Sequence, residues 1–270
     1  EYSFTDGNGC SSSDVETITV NPTPMVSFTG LSNICLNGSP FSITGGIPAG
    51  GSYSGNGVDS FGVFNPLVAG VGSKIIAYNF TDTNNCSNSN SDTLSIYSLP
   101  NVSIAPLSDI CENGGNITLS SGTPLGGTWS ADSGLTSGGI LDPLAIGGAG
   151  TYGVRYSYTD GNGCTSADTT SLLINPEPVV TFSGLANVCF DQASSTLSGG
   201  LPLGGNYSGN GVVGGAFSTA TAGVGTHVIT YNYTDANSCS STNTDTIQVY
   251  ALPNANAGVD QTICFGDSVT

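Results

Sequence analysis

Apolar and polar positions alternate along the chain in short runs. KIIAYNFTD (74–82) and SDTLSIYS (91–98) change character at nearly every residue, the period-two pattern of a strand with one buried face and one wet face. MVSFTG (25–30), PFSITG (40–45), GSYSG around Tyr53 and FGVF (61–64) read as further strands, and LVAGVGS (67–73) as a Gly-rich connection. Windows rich in Leu, Ala, Glu and Lys, which long helices need, are missing. Thr, Ser, Val, Ile and Tyr in runs closed by Gly, Asn or Pro favour β-structure. The pattern predicts an all-β chain.

The strands recur. YNFTDTNNC (78–86) returns as YSFTDGNGC (2–10), YSYTDGNGC (156–164) and YNYTDANSC (231–239). Each copy reads as the end of one strand, a hairpin turn and the start of the next strand, because Asn and Gly tolerate positive φ. Cysteines stand at 10, 35, 86, 111, 164, 189, 239 and 264. The step from each turn cysteine to the next cysteine is identical all four times: 10 to 35, 86 to 111, 164 to 189 and 239 to 264. The intervening gaps are twice as long and nearly equal. A period of about 76 residues suits an Ig-like β-sandwich of about seven strands in two sheets. NPTPMVSFTGLSNIC (21–35) also matches NPEPVVTFSGLANVC (175–189), so two repeat types alternate with a super-period of about 153 residues.

Five segments follow: 1–22, the last strands of a preceding repeat; whole Ig-like repeats at 23–99, 100–176 and 177–252; and 253–270, the start of another. The joints NPTP, SLPN, NPEP and ALPN carry Pro22, Pro24, Pro100, Pro176, Pro178 and Pro253. Proline fixes φ, so such joints are stiff and predict an extended rod. Residue 1 falls mid-strand, which makes the chain read as a fragment of a longer one. Tyr53, Trp129 and Tyr207 follow a Gly-Gly pair in each repeat and read as central core aromatics rather than sugar-stacking rings.

The net charge of −17, with only two basic residues, excludes phosphate-binding chemistry and so nucleic acid as a partner. It also argues against docking on anionic lipid, and no apolar run is long enough for direct membrane insertion. Eight cysteines in a regular pattern, with one His and no CxxC, point to disulfides and an oxidising location. Two pairings stay open. One closes each repeat on itself, Cys35 with Cys86. The other staples successive repeats, Cys35 with Cys164 and Cys111 with Cys239. The strand plan favours the second, since strands of nine residues hold their ends roughly 30 Å apart and a bridge needs Cα atoms within about 7 Å. Cys10, Cys86, Cys189 and Cys264 are expected to be oxidised too.

ANAGVDQTICFGDSVT (255–270), together with GGxYSGNGV, AGVG, YxYTDxNGC and a closing DTIxV strand, resembles the Ig-like and PKD-like repeats of giant secreted surface proteins of Bacteroidetes, including gliding-motility adhesins. The resemblance spans the chain. It implies an extracellular, surface-attached stalk, fibre or adhesin, with neighbouring repeats of the same chain as partners; lateral pairing of identical chains into a filament is left open by the sequence. It also marks Thr93 and Thr246, in Asp-Thr-hydrophobic triplets, as candidate O-glycosylation sites. Thr169, in DTT, departs from that motif. The competing reading of all three is an alternating strand with Thr pointing out.

Catalytic chemistry finds little to work with. His227 and Lys74 share one strand position and Arg155 lies three places on from it, and varied residues there suggest a solvent-facing side chain. No catalytic residue and no cofactor is assigned. Asp6, Asp82, Asp160 and Asp235 are candidate calcium ligands at the turns, although each turn offers one carboxylate where Ca²⁺ takes six to eight oxygens. A non-catalytic structural segment is the function expected; a ligand-binding adhesin array contacting glycans or other cells is the alternative.

Overall fold

The computed structural model describes residues 1–262, 264–266 and 268; Ile263, Asp267, Val269 and Thr270, at the end of segment 253–270, lie outside the described residues. The chain is almost entirely β, as its alternation requires. It forms two compact units. One contains Glu1–Ser103, Thr123–Gly127 and Tyr156–Asp168; the other contains Ile104–Gly122, Thr128–Arg155 and the described residues from Thr169 on. The second repeat contributes to both.

Within the first unit, residues 23–99 build a sandwich on a long hairpin. Gly72–Thr81 and Ser87–Tyr97 pair antiparallel from Gly72↔Ile96 to Thr81↔Ser87. Ser52–Ser54 adds to the outer side of the first strand. Ile34–Cys35 adds in parallel to the end of the second, Ile34 opposite Ile96 and Cys35 opposite Tyr97. Phe41–Ser42 and Val63–Phe64 make a small second sheet. The segment read as the first strand, 25–30, holds only the isolated bridge Ser27↔Ile47. The core is the inward half of the alternation: Phe28, Ile43, Phe64, Ala69, Ile76, Tyr78, Leu94 and Ile96.

In the second unit, residues 177–252 repeat the plan. Gly225–Thr234 and Ser240–Tyr250 form the hairpin, Asn206–Gly209 flanks it on one side and Val188–Cys189 on the other. Its core is Val180, Phe182, Leu197, Phe217, Ile229, Tyr231, Ile247 and Val249. Each of these two repeats buries its own interior at matching positions, except that Ala69 is buried in the first and Val180 in the second while their counterparts Ala222 and Val26 are partly buried. In the middle repeat Trp129, at 6% exposure, stands where the others carry Tyr53 and Tyr207.

Tyr53 packs on Phe28 and Tyr78, with ring centroids 5.3 and 4.8 Å apart. The tyrosine that opens the nonamer of each whole repeat, Tyr78, Tyr156 or Tyr231, is buried more deeply still, whereas Tyr2 is exposed. Tyr78 Oη donates to Pro48 O at 2.5 Å and accepts from Gly51 N at 2.7 Å; Tyr231 does the same with Pro202 and Gly205. A Cβ on Gly51 would lie 2.3 Å from Asn79 O and 2.5 Å from the Tyr78 ring, so the second glycine of the pair is what lets the loop close over the ring.

The Gly-rich connection contains a helical turn that strand alternation could not reveal. Pro66–Ala69 is helical, with Asn65 Oδ1 accepting from Leu67 N and Val68 N and Gly70 ending the turn. Pro143–Ile146 behind Asp142 and Thr219–Ala222 behind Ser218 repeat it. A capping side chain, proline at the first helical position in the first two and glycine after the last are the local signals.

Candidate functional site: the stapled junction

The hairpin turn comes first. Asp160 Oδ1 accepts from Asn162 N and Cys164 N, both at 2.9 Å, and Asp160 N donates to Cys164 O at 2.9 Å. Gly163 takes φ 80°. This is a three-residue loop whose last residue is left-handed, and it delivers the cysteine at a fixed place beyond the strand end. Asp6, Asp82 and Asp235 make the same pair of bonds in their turns. Gly9 and Gly163 meet the positive φ without strain, whereas Asn85 at 64° and Ser238 at 66° do not have that freedom.

The other half is the leading cysteine. Cys35 lies opposite Tyr97, and Leu36 N donates to Tyr97 O at 2.9 Å. It thus sits where the last strand of its own repeat ends. Cys86 adjoins the start of that strand, Ser87–Tyr97. An 11-residue strand spans roughly 35 Å, so Cys35 and Cys86 stand far apart and no bridge closes the repeat on itself. Cys35 is instead bonded to Cys164 within the first unit, Cα to Cα 5.5 Å. Cys111 is bonded to Cys239 within the second, also at 5.5 Å. Cys164 and Cys239 have no exposed surface. An amide stands beside each bridge: Asn37 Nδ2 donates to Thr165 O at 3.5 Å and Asn113 Nδ2 to Ser240 O at 2.8 Å.

Cys10, Cys86, Cys189 and Cys264 form no bridge within residues 1–270. The reason is positional. Each bridge joins a leading cysteine to the turn cysteine of the following repeat, and residues 1–270 contain no complementary cysteine at that separation for any of the four.

The arms before Cys35 and Cys189 are tied along the last strand of their repeats by side chains that the period-two pattern does not mark. Asp92 Oδ2 accepts from Leu31 N and Oδ1 from Thr93 N. Those two amides, Leu31 first, hold the Asp92 carboxyl below the usual carboxylate range. Asn33 Oδ1 accepts from Ser95 N, and its Nδ2 donates to Tyr97 Oη at 2.8 Å. Asp245 and Asn187 repeat the arrangement with Leu185, Gln248 and Tyr250. The recurrence of SNIC with SDT and of ANVC with TDT was the available signal.

Thr93, Thr169 and Thr246 are exposed. Thr93 faces Ile75 across the hairpin and Thr246 faces Val228, two apolar residues that are themselves 66% and 56% exposed. His227 and Lys74 differ from the solvent-facing placement expected of them: both are half-buried. They share parity with the core residues Ile229 and Ile76, so the pleat turns them inward at the strand's start. His227 Nε2 meets Gly223 O at 2.9 Å, the carbonyl ending the helical turn, and Tyr152 takes the same place in the middle repeat, against Gly147. Arg155, on the opposite parity, is exposed.

Each turn presents one carboxylate, already accepting two amides, and among the described residues no group of three His, Cys, Asp or Glu side chains is placed to hold a metal. The amides of Cys10 and Asn8 hold the Asp6 carboxyl below its ordinary range. No described helix is long and apolar enough to cross a membrane.

No protein-family model matches the chain, and no curated protein matches its sequence. Solved structures do resemble it. One is a Ca²⁺-stabilised adhesin that helps an Antarctic bacterium reach out and bind ice, 16% identical, TM-score 0.34, covering 80% of this chain and 69% of that one. Sidekick-1 immunoglobulin domains 1–5 are 14% identical, TM-score 0.26, covering 82% and 58%. Drosophila N-cadherin EC1–4 is 13% identical, TM-score 0.24, covering 83% and 73%. Such low identities say nothing of ligand or activity.

Proposed function

We propose that the chain is a non-catalytic structural segment of a long extracellular, cell-surface fibre or adhesin stalk, in which β-sandwiches run end to end as a rod. One observation carries the reading: a leading cysteine is bonded to the turn cysteine of the following repeat, twice, at separations of 129 and 128 residues. Such a tie holds successive repeats in fixed order, which recognition by a single sandwich does not need. Proline-bearing joints support it, and so do bridges suited to an oxidising compartment. The resemblance to Bacteroidetes surface repeats points the same way. The exposed threonines Thr93, Thr169 and Thr246 are the proposed glycan attachment points, and an intact mass equal to the bare sequence removes them.

The test pairs small-angle scattering of the oxidised chain with a glycan array. A rod-like profile and a blank array are the expected result. A compact globule overturns the reading, and reproducible glycan binding puts the adhesin-array reading in its place. Imaging of native material distinguishes a single thread from laterally paired chains.

A further inference from the structure

We infer that the two disulfides form a strap: they limit how far the chain lengthens when its sandwiches are pulled open. The use of such a strap rests on the stalk reading, but its existence depends only on covalent connectivity. Tension follows the shortest covalent path. Without bridges, that path from residue 1 to residue 270 is 269 peptide links. With both bridges it runs 34 links to Cys35, across to Cys164, back 53 links to Cys111, across to Cys239 and 31 links to the end, 118 in all. A link extends to about 3.5 Å. The fully drawn-out length therefore falls from about 940 Å to about 410 Å, plus two bridges of 5.5 Å.

The strap takes much of two sandwich cores out of the loaded path. Residues 36–110 and 165–238 become slack loops outside the path. They contain Ile43, Phe64, Ile76, Tyr78, Leu94 and Ile96 of one core and Val180, Phe182, Leu197, Phe217, Ile229 and Tyr231 of the other. If a sandwich opens, the bridges hold the load while it refolds. One cysteine of each bridge, Cys164 or Cys239, is fully buried, while Cys35 and Cys111 are half-buried, so thiol–disulfide exchange, which needs access to sulfur, is hindered at one sulfur of each pair. Cys189 and Cys264 follow Cys164 and Cys239 at the same short interval that separates Cys86 from Cys111. In an array continuing the pattern they would begin the next bridges, and the load would then also run through the short segments 164–189, which holds Val180 and Phe182, and 239–264, while the rest of each loop stayed slack.

The experiment is single-molecule stretching of the full chain tethered at its two ends, with the four remaining thiols alkylated beforehand. The oxidised chain is expected to stop lengthening at about 410 Å, and the same molecules in reductant at about 940 Å. The double variant Cys35→Ser/Cys164→Ser retains the Cys111–Cys239 path of 141 links. Its lengthening should stop at about 490 Å. Contour length does not depend on folding once the bridges exist, so a poorly folded variant still gives an answer. An oxidised wild-type chain that reaches about 490 Å or more overturns the strap. Glycan binding bears on the stalk reading and leaves these lengths unchanged.

Discussion

Replacing Tyr231 with Phe tests whether one hydroxyl holds the corner of the sandwich. The ring is 2% exposed and lies with its centroid 4.8 Å from Tyr207 and 6.1 Å from Phe182, and Phe keeps both contacts. Only the hydroxyl is lost, and with it the bonds to Gly205 N at 2.7 Å and Pro202 O at 2.6 Å. Each bond contributes about 1 kcal/mol net, and an orphaned partner costs more where water cannot reach it. Gly205 is half-buried and Pro202 exposed, so the carbonyl recovers water more easily than the amide. The sum is about 2 kcal/mol. Native-state hydrogen exchange reads this directly: the Gly205 amide should exchange about 30-fold faster, by the conversion of about 1.4 kcal/mol per tenfold. Gly51, bonded to Tyr78 in its own repeat, should be unaffected. Unchanged exchange at Gly205, with a stability loss below about 0.5 kcal/mol, would refute the reasoning and leave the loop to be held by packing alone.

Three further outcomes follow from the turns and the arm. Ser238→Gly should stabilise the third repeat by about 0.5–1 kcal/mol, because φ of 66° strains a residue with a Cβ; a thermal midpoint that falls instead would contradict it. The depressed Asp92 carboxyl contributes stability above its unfolded pKa of about 3.9 that is lost as pH falls through its lower folded value. The wild type should therefore melt above Asp92→Asn at pH 7, and the gap should close in strong acid. Adding calcium should leave the melting midpoint unmoved, since each turn carboxylate already accepts two backbone amides; an upward shift saturating with calcium would show a cation site.

The alternation of KIIAYNFTD and SDTLSIYS determined, without any structure, that the chain is β and that Ile76, Tyr78, Leu94 and Ile96 share an inner face. The recurring nonamer likewise determined the hairpin and its turn, because Asp, a left-handed residue and Cys at fixed offsets are local chemistry. Tertiary structure decided the rest. Parity set Lys74 and His227 facing inward at the strand's start, His227 against the helical end that only the fold places there. The Asp92 and Asn33 bonds join residues far apart in the chain, a separation over which composition carries no register. The cysteines show the division most clearly. Their spacing announces a bridged repeat, but the partner of Cys35 is fixed by distance in space. A strand length separates it from Cys86, and only folding carries the turn of the following repeat to within bonding reach.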